Sequence, residues 1–236
     1  MGRAFEFRKN RKMKRWDAMA KAFTKFGKEI AIAVKQAGPD ANTNPRLRIA
    51  IQNAKGVNMP KDRIENAIKK ASSKDEKDFQ EVLYEGYGPH GIAIVVECAT
   101  DNPTRTVANI RSYFTHSGGS LSTSGALDFM FTRKGVFKLP SSAISNKEDF
   151  ELEMIDFGLE EIVANEEELL LYTTFSDFSK MQKALEEKSI AVTSAELQRF
   201  PTTTKEITEA QEEELADLID KIEEDEDVQA VYHTMK

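Results

Sequence analysis

The chain has 236 residues, 40% of them hydrophobic and 31% charged, which is typical of a globular protein of more than one domain. No apolar run approaches the ~20 residues of a membrane-spanning helix, and no signal-peptide stretch follows the basic N-terminus. A mitochondrial presequence would be rich in Ser, whereas the first serine is Ser72. We therefore expect a cytoplasmic protein without a membrane partner.

The charge is divided unevenly along the chain. The formal net charge is −7, yet residues 1–80 carry twenty Lys and Arg against nine Asp and Glu. Residues 81–236 carry thirteen Lys and Arg against thirty-one Asp and Glu. Such an asymmetry indicates a basic module that attracts phosphate and an acidic remainder that repels it. The alternative is that the Lys-rich part is an ordinary solvated surface.

The first eighty residues predict three helices. Apolar residues recur every three or four positions over 19–37, and Gly38-Pro39 ends this helix. Asn44-Pro45 has the form of an N-cap followed by proline at the first helical position. The run Asn58-Met59-Pro60 begins a third helix. Residues 1–78 are therefore predicted to form a basic three-helix domain.

Beyond residue 78 strands alternate with helices. Strands are predicted over 79–84 and 91–98, a helix over 103–116, and a hairpin from 127–131 and 135–139 around Arg133-Lys134. A second α/β unit follows from Ser141, and both units resemble split βαβ, ferredoxin-like units.

The chain ends with one more helix and strand. Thr208 to Gln211 has the form of a capping box, which opens the helix, and 228–232 predicts the strand. The predicted fold is thus α+β, with an α/β domain formed by 79–139 plus 202–236 and a second, inserted α/β domain over 140–201.

Residues 86–91 read G-x-G-x-x-G. In a dinucleotide site this motif opens a helix that receives the pyrophosphate, whereas here an apolar strand follows. A kinase glycine-rich loop does lie between strands, but its companion motifs are missing from this sequence. The pattern favours a glycine-rich hairpin loop over a nucleotide cradle.

Catalytic and metal-binding chemistry finds little support. No nucleophile turn of the G-x-S-x-G type is present, and the three histidines form no ligand pair at helical spacing. Cys98 is the single cysteine and lies in an apolar run, which is typical of a buried, inert thiol. We expect a non-enzymatic protein with no cofactor, no metal and no small-molecule substrate.

Residues 223–227 form the acidic run Glu-Glu-Asp-Glu-Asp. Most such runs are solvated surface, and this one lies near the predicted end of a helix, where the dipole disfavours negative charge. A functional alternative is an acidic flap that competes with nucleic acid for the basic domain.

Several long segments resemble the YebC/PmpR family. They are NPRLRIAIQNAK at 44–55, NMPKDRI at 58–64, YEGYGPHG at 84–91 and TDNPTRT at 100–106. The resemblance continues through Gly118-Gly119 and residues 125–127 into the last third of the chain, so it covers almost the whole sequence.

The resemblance implies a helical N-terminal domain and two α/β domains, the last inserted in the middle one, in a protein that regulates gene expression without catalysis. Bacterial members of that family are DNA-binding transcriptional regulators, and others, including mitochondrial relatives, assist translation by ribosomes. One segment departs from the family. Members commonly begin with Gly-His-Ser-Lys-Trp, whereas this chain begins MGRAFEFR, which indicates a divergent subfamily whose nucleic-acid contacts differ there.

The candidate binding residues are the cations of the basic domain. We expect them to contact phosphate, which positions a protein without reading bases. They are Arg3, Arg8, Lys9, Arg11, Lys12, Lys14, Arg15, Lys21, Lys25, Lys28, Arg46, Arg48, Lys55, Lys61 and Arg63.

Three hypotheses about the partner remain open. The first is duplex DNA, bound by a transcriptional regulator. The second is ribosomal RNA, contacted by a translation factor on the ribosome. The third is a protein, bound by the α/β domains of an adaptor. A steep salt dependence of binding would separate the first two from the third.

Overall fold

The computed structural model describes residues 3–73, 78–165 and 167–236, with side chains from residue 18 onward. The helices of these segments are α1 (Arg3–Ala37), α2 (Pro45–Gly56), α3 (Lys61–Ala71), α4 (Pro103–His116), α5 (Lys147–Ile155), α6 (Phe178–Glu187) and α7 (Glu209–Glu223). The strands are β1 (Gln80–Tyr87), β2 (Ala93–Thr100), β3 (Ser120–Leu121), β4 (Phe131–Pro140), β5 (Leu159–Ala164), β6 (Glu168–Thr174), β7 (Ser194–Pro201) and β8 (Val228–His233). Across this described part, no helix combines the length and apolar character needed to cross a bilayer.

The three N-terminal helices pack on one another as the apolar spacing predicts. Phe26, Ile30, Leu47 and Ile64 are buried in their common core. Asn44 joins α1 to α2, because its side chain accepts from the backbone N–H of Leu47 at 3.0 Å and donates to two carbonyls at the end of α1. The predicted N-cap is thereby confirmed, and it also fixes the angle between two helices.

The first sheet has the strand order β3-β1-β2-β8, with every neighbouring pair antiparallel. Apolar residues of β2 meet those of α4 and α7 in a core that includes Ile94, Phe114 and Leu218. The strand β8 reaches this sheet from the far end of the chain, and the predicted capping box at Thr208 opens α7 before it.

The second sheet has the order β5-β6-β4-β7, again with antiparallel neighbours. Its chain order, β4-α5-β5-β6-α6-β7, combines two split βαβ units in the ferredoxin-like arrangement. Phe137, Leu171 and Met181 are buried where α5 and α6 cover one face. The prediction of an α+β fold is confirmed.

The predicted hairpin around Arg133-Lys134 is wrong. Residues 131–140 form the single strand β4, which pairs with β6 on one side and β7 on the other. Residues 135–139 therefore belong to the second sheet and not, as the boundary at 139 assumed, to the first. Local sequence could not show this, because both partners of β4 lie far along the chain. The division into three domains stays a prediction, with this boundary moved to about residue 130.

The helical domain docks on the second sheet through α2. The buried amide of Asn53 donates to the carbonyl of Ala195 at 2.9 Å and accepts from the N–H of the same residue at 2.8 Å. The amide thus supplies both hydrogen bonds that a neighbouring strand would give to the edge of β7. Gly56 allows this approach, since a Cβ there would lie 2.2 Å from the carbonyl oxygen of Thr193.

We predict that Asn53→Ala destabilises the protein by about 1–3 kcal/mol, because the buried N–H and C=O of Ala195 would lose their partners. Urea unfolding followed by circular dichroism measures the change. Asn66→Ala, at an exposed position of α3, is the matched control and should leave the midpoint unchanged. Equal midpoints for the two variants would contradict this account of the docking.

Candidate nucleic-acid interface

The exposed cations of the helical domain lie mainly on α1 and α3 and at the end of α2. Lys21, Lys55, Lys61 and Arg63 are exposed, as the sequence analysis predicted for phosphate contacts. Lys61 lies 3.5 Å from Glu65, and Arg63 lies over the ring of Phe23 at 5.5 Å. Both contacts are at the exposed surface, so the positive charges of these side chains are still available to an anion.

Two exposed lysines in the last turn of α3, Lys69 and Lys70, were not among the predicted phosphate contacts. For Lys69 the available signal was its spacing of eight residues from Lys61, since such positions lie toward the same side of a helix. The N-terminal cations Arg3, Arg8, Lys9, Arg11, Lys12, Lys14 and Arg15 have their backbone in α1, while their side chains lie outside the described residues.

Two predicted contacts are engaged within the chain. Arg48 donates to the carbonyls of Ala41 and Asn42 at 2.9 and 3.1 Å, and so closes the loop between α1 and α2. Arg46 bonds to Gln36 at 2.9 Å and forms an ion pair with Glu81 of β1. Arg48 therefore stabilises the loop between α1 and α2, and Arg46 holds the helical domain against the first sheet. These contacts argue against assigning either residue to phosphate.

The structure contradicts the predicted phosphate contact of Lys28. Its ammonium group is almost buried, 2.8 Å from the carboxylate of Asp227, and also donates to the carbonyls of Ala99 at 3.0 Å and Glu226 at 2.7 Å. An ammonium group has three protons, so these partners use all of its donors. Lys28 joins α1 to the first sheet and has no donor left for phosphate.

Asp227 is the centre of this junction. Besides Lys28 it accepts from Arg105 at 2.7 Å, from Thr106 at 2.8 Å and from Thr100 at 3.0 Å. Burial by itself would raise the pKa of Asp227, but these hydrogen bonds outweigh it and hold the pKa well below its ordinary value. The carboxylate is therefore charged at neutral pH. We call Lys28, Thr100, Arg105, Thr106 and Asp227 the Asp227 network.

The acidic run 223–227 is only partly a solvated surface. Asp227 is buried, and Asp225 accepts from Asn109 at 3.0 Å and from Tyr113 at 3.1 Å. These two carboxylates anchor the turn between α7 and β8 against α4. They are thus unavailable to an acidic flap, and only Glu223, Glu224 and Glu226 remain exposed.

A cleft of about 820 Å³ lies where the helical domain and the two sheets meet. Lys25 and Glu29 of α1 line it, so Lys25 faces the junction rather than an outer surface. Burial raises the pKa of Glu29 to about 7; Lys25 and Arg46 oppose this shift, while Glu196 and Glu81 add to it. The cleft places a titrating carboxyl group between domains.

The glycine-rich hairpin loop is confirmed, since β1 and β2 pair directly on either side of it. At Gly86 a Cβ would lie 2.6 Å from the backbone carbonyl oxygen of Ser120, which accounts for this glycine without any phosphate. Cys98 is buried as predicted, and burial raises its pKa to about 12. Within the described segments, no three His, Cys, Asp or Glu side chains are grouped to hold a metal.

Family models match both parts of the chain. The TACO1/YebC N-terminal domain matches residues 3–74, and the TACO1/YebC second and third domain matches residues 79–235. The chain belongs to the TACO1/YebC family. The resemblance of its motifs to YebC proteins is therefore confirmed.

Relatives within the TACO1/YebC family are similar over their full length. A protein of Porphyromonas gingivalis is 58% identical over 100% of this chain and 98% of its own, and one of Cytophaga hutchinsonii is 59% identical with the same coverage. Both are named probable transcriptional regulatory proteins. The family is thus one of regulators.

A solved structure shares the fold. A conserved hypothetical protein of Aquifex aeolicus superposes with a TM-score of 0.79 at 35% sequence identity, covering 92% of this chain and 90% of that one. Several residues that carried the resemblance to YebC proteins, Thr100, Arg105 and Thr106, belong here to the Asp227 network.

We predict that Asp227→Asn costs about 3 kcal/mol of stability at pH 7, because Lys28 and Arg105 would lose their buried carboxylate. Since the pKa of Asp227 is lowered on folding, its contribution is complete above about pH 4, the unfolded value, and is lost as the pH falls further. The difference from wild type should therefore shrink below pH 4.

Urea unfolding between pH 3 and 7 measures this difference. Glu226→Gln is the matched control in the same acidic run, because Glu226 contacts Lys28 through its backbone carbonyl and not its side chain. A loss of stability for Asp227→Asn that stays constant with pH would contradict the assignment of the carboxylate as the charged partner.

We predict the opposite pH dependence for Glu29. Its pKa rises from the ordinary 4.5 to about 7 on folding, so the protonated carboxyl favours the folded state. The resulting stabilisation is complete below pH 4.5 and declines as the pH rises through 7. Glu29→Gln should match wild type near pH 4.5 and exceed its free energy of unfolding at pH 8. A gap that fails to grow with pH would refute this.

Proposed function

We propose that this protein is a non-enzymatic, nucleic-acid-binding regulator of gene expression in the cytoplasm, with duplex DNA as its partner in transcriptional regulation. The observation that carries the proposal is the cationic surface of the helical domain. That domain holds twenty Lys and Arg against nine Asp and Glu in residues 1–80, in a chain with a net charge of −7. The names of its relatives agree with a regulator.

The geometry supports a directional electrostatic contact. Cations that the structure leaves exposed, such as Lys21, Lys55 and Lys61, lie on the helices, while the acidic excess lies on the two sheets and their helices. A polyanion is attracted by the first surface and repelled by the second, so it meets the helical domain first. The N-terminal cations would extend this surface.

A second candidate function is translation, with ribosomal RNA as the partner. The position of α2 favours it, because Asn53 and Arg48 fix this helix against β7, α6 and its own loop. A helix held on two sides cannot enter a major groove as a recognition helix. The helix α3 offers lysines for phosphates, which suits a shape-based contact with RNA as well as DNA. A protein–protein adaptor is the lesser alternative.

We predict that a variant with Lys21, Lys55, Lys61 and Arg63 changed to Gln binds duplex DNA more weakly at low salt. Each lost phosphate contact should reduce the slope of log K against log salt by about 0.9, or roughly 3 to 4 for the set. Fluorescence anisotropy with a labelled duplex at several salt concentrations measures both quantities.

A charge-matched control carries Gln at exposed lysines outside the helical domain, namely Lys147, Lys183, Lys221 and Lys236. It should bind as wild type does. Equal loss of affinity in the two variants would show that only net charge matters, and a flat salt response of the wild type would favour the adaptor.

Sedimentation with ribosomes decides between DNA and RNA. Tagged protein from gently lysed cells is run on a gradient beside a variant with the N-terminal arginines and lysines of residues 3–15 changed to Gln. Wild type that travels with ribosomal particles, while the variant stays at the top, would give translation the lead. If the wild-type protein stays at the top of the gradient, the transcriptional proposal stands.

A further inference from the structure

Phe129 is the most exposed of the large apolar side chains that the structure describes. It is 76% exposed, although its neighbours in the same turn, Leu127 and Phe131, are 0% and 6% exposed. A phenyl ring held in water forgoes the stabilisation that burial would give it. An exposed ring between two buried anchors therefore suggests a binding surface.

The turn that carries Phe129 is built rigidly. The carboxylate of Glu85, itself only 2% exposed, accepts from the backbone N–H groups of Gly125 at 2.9 Å and Leu127 at 2.6 Å. The carbonyl of Met130 accepts from the N–H of Thr202 at 2.9 Å on the other side. Phe129 is thus presented in a fixed position, which lowers the entropy that binding would cost.

A second exposed ring lies nearby with a cation stacked on it. Phe175 is 49% exposed, and the guanidinium carbon of Arg133 lies 4.3 Å from its ring centroid. Arg133 lies directly opposite Arg199 in the pairing of β4 with β7. Like charges in this position repel each other.

The positive charges of Arg199 and Arg133 differ in how far nearby carboxylates balance them. Arg199 is neutralised by Glu97 at 2.9 Å and approached by Asp128 at 3.8 Å. For Arg133 no carboxylate lies within ion-pair distance in the described part of the chain. Its guanidinium group is exposed and keeps its charge available to an anion.

The contact between Asp128 and Arg199 joins the turn of Phe129 to this strand pair. Phe129 lies two residues before β4 begins, Arg133 is the third residue of that strand, and Arg133 lies over the ring of Phe175. The three residues therefore lie at the same end of β4, and we call them the stacking surface. Its surroundings are polar, since Asp128, Thr132 and Ser176 are all exposed. Exposed polar residues thus adjoin each ring along the chain, which differs from the continuous apolar centre of a protein interface.

We propose that the stacking surface binds unpaired bases of an RNA. Bases would stack on the rings of Phe129 and Phe175, and a backbone phosphate would be neutralised by the Arg133 guanidinium. Aromatic rings beside an unpaired cation are the combination that single strands require, and RNA displays such bases in loops and bulges. The inference rests on the proposed function in needing a nucleic-acid partner, and specifically on its second candidate, in which that partner is RNA. It adds a second surface outside the basic domain.

The test uses the full-length protein and two labelled RNA hairpins of equal length, one with a six-nucleotide loop and one with a minimal loop and a longer stem. Wild type should prefer the large loop. Phe129→Ala and Phe175→Ala should each weaken binding to that hairpin roughly tenfold, and leave binding to the long stem unchanged. Phe129→Trp should retain the preference, because it keeps an aromatic face.

Leu152→Ala is the control, since Leu152 is an aliphatic residue of α5 that is 69% exposed. Because Phe129 is 76% and Phe175 49% exposed, neither ring belongs to a buried core. The variants should therefore fold, and circular dichroism checks this. Unchanged loop affinity in the folded Phe129→Ala and Phe175→Ala variants would overturn the proposal.

Comparison of the variants distinguishes a failure of this inference from a failure of the proposed function. The Gln variant of the exposed cations Lys21, Lys55, Lys61 and Arg63 should lose affinity for both hairpins alike. If it does while the phenylalanine variants bind as wild type, only the stacking surface is refuted. If wild type binds neither hairpin nor duplex DNA, both proposals fail. If the phenylalanine variants lose a co-purifying protein and no RNA affinity, the surface is a protein interface and the inference is overturned.

Discussion

The buried ion pair between Lys28 and Asp227 is the constraint on which the arrangement of the domains depends. Two charges taken out of water are tolerated only when each is fully paired, and here Arg105, Thr100 and Thr106 complete the shell of the carboxylate. Misplacing α1 by one helical turn would leave Lys28 and Asp227 buried without each other. The network therefore favours one orientation of the helical domain on the first sheet, and Asn53 fixes its contact with the second sheet in the same way.

This constraint divides the cations of the helical domain into two groups. Lys28, Arg46 and Arg48 face the rest of the protein and bind its carboxylates and carbonyls. Lys21 and Lys61 lie on exposed faces. The junction thereby turns the remaining positive charge outward, so that the same fold that joins the domains also creates a surface to which phosphate is attracted.

The segments that resemble the YebC family mainly contribute contacts between helices, strands and domains. Asn44 and Asn53 of the first segment cap and dock α2, and Arg105 of the last belongs to the Asp227 network. Glu85 holds the turn that presents Phe129. These shared residues thus determine how the domains are assembled. The proposed contacts with nucleic acid involve exposed residues around them. A contact between domains needs specific hydrogen-bond partners, whereas a phosphate contact needs only positive charge. Contacts between domains therefore restrict the side chain more strictly than phosphate contacts do.

Features that depend on neighbours along the chain could be predicted from the order of the amino acids. Helical periodicity, the caps at Asn44 and Thr208, and the glycine-rich hairpin were all predictable, because their hydrogen bonds close within a few residues. The remaining features depend on contacts between residues that are far apart along the chain. The strand β4 takes its place from partners far along the chain, Lys28 meets an aspartate 199 residues away, and Phe129 is exposed while Phe131 is buried. Long-range pairing and burial are properties of the folded chain as a whole, so no local pattern of residues could reveal them.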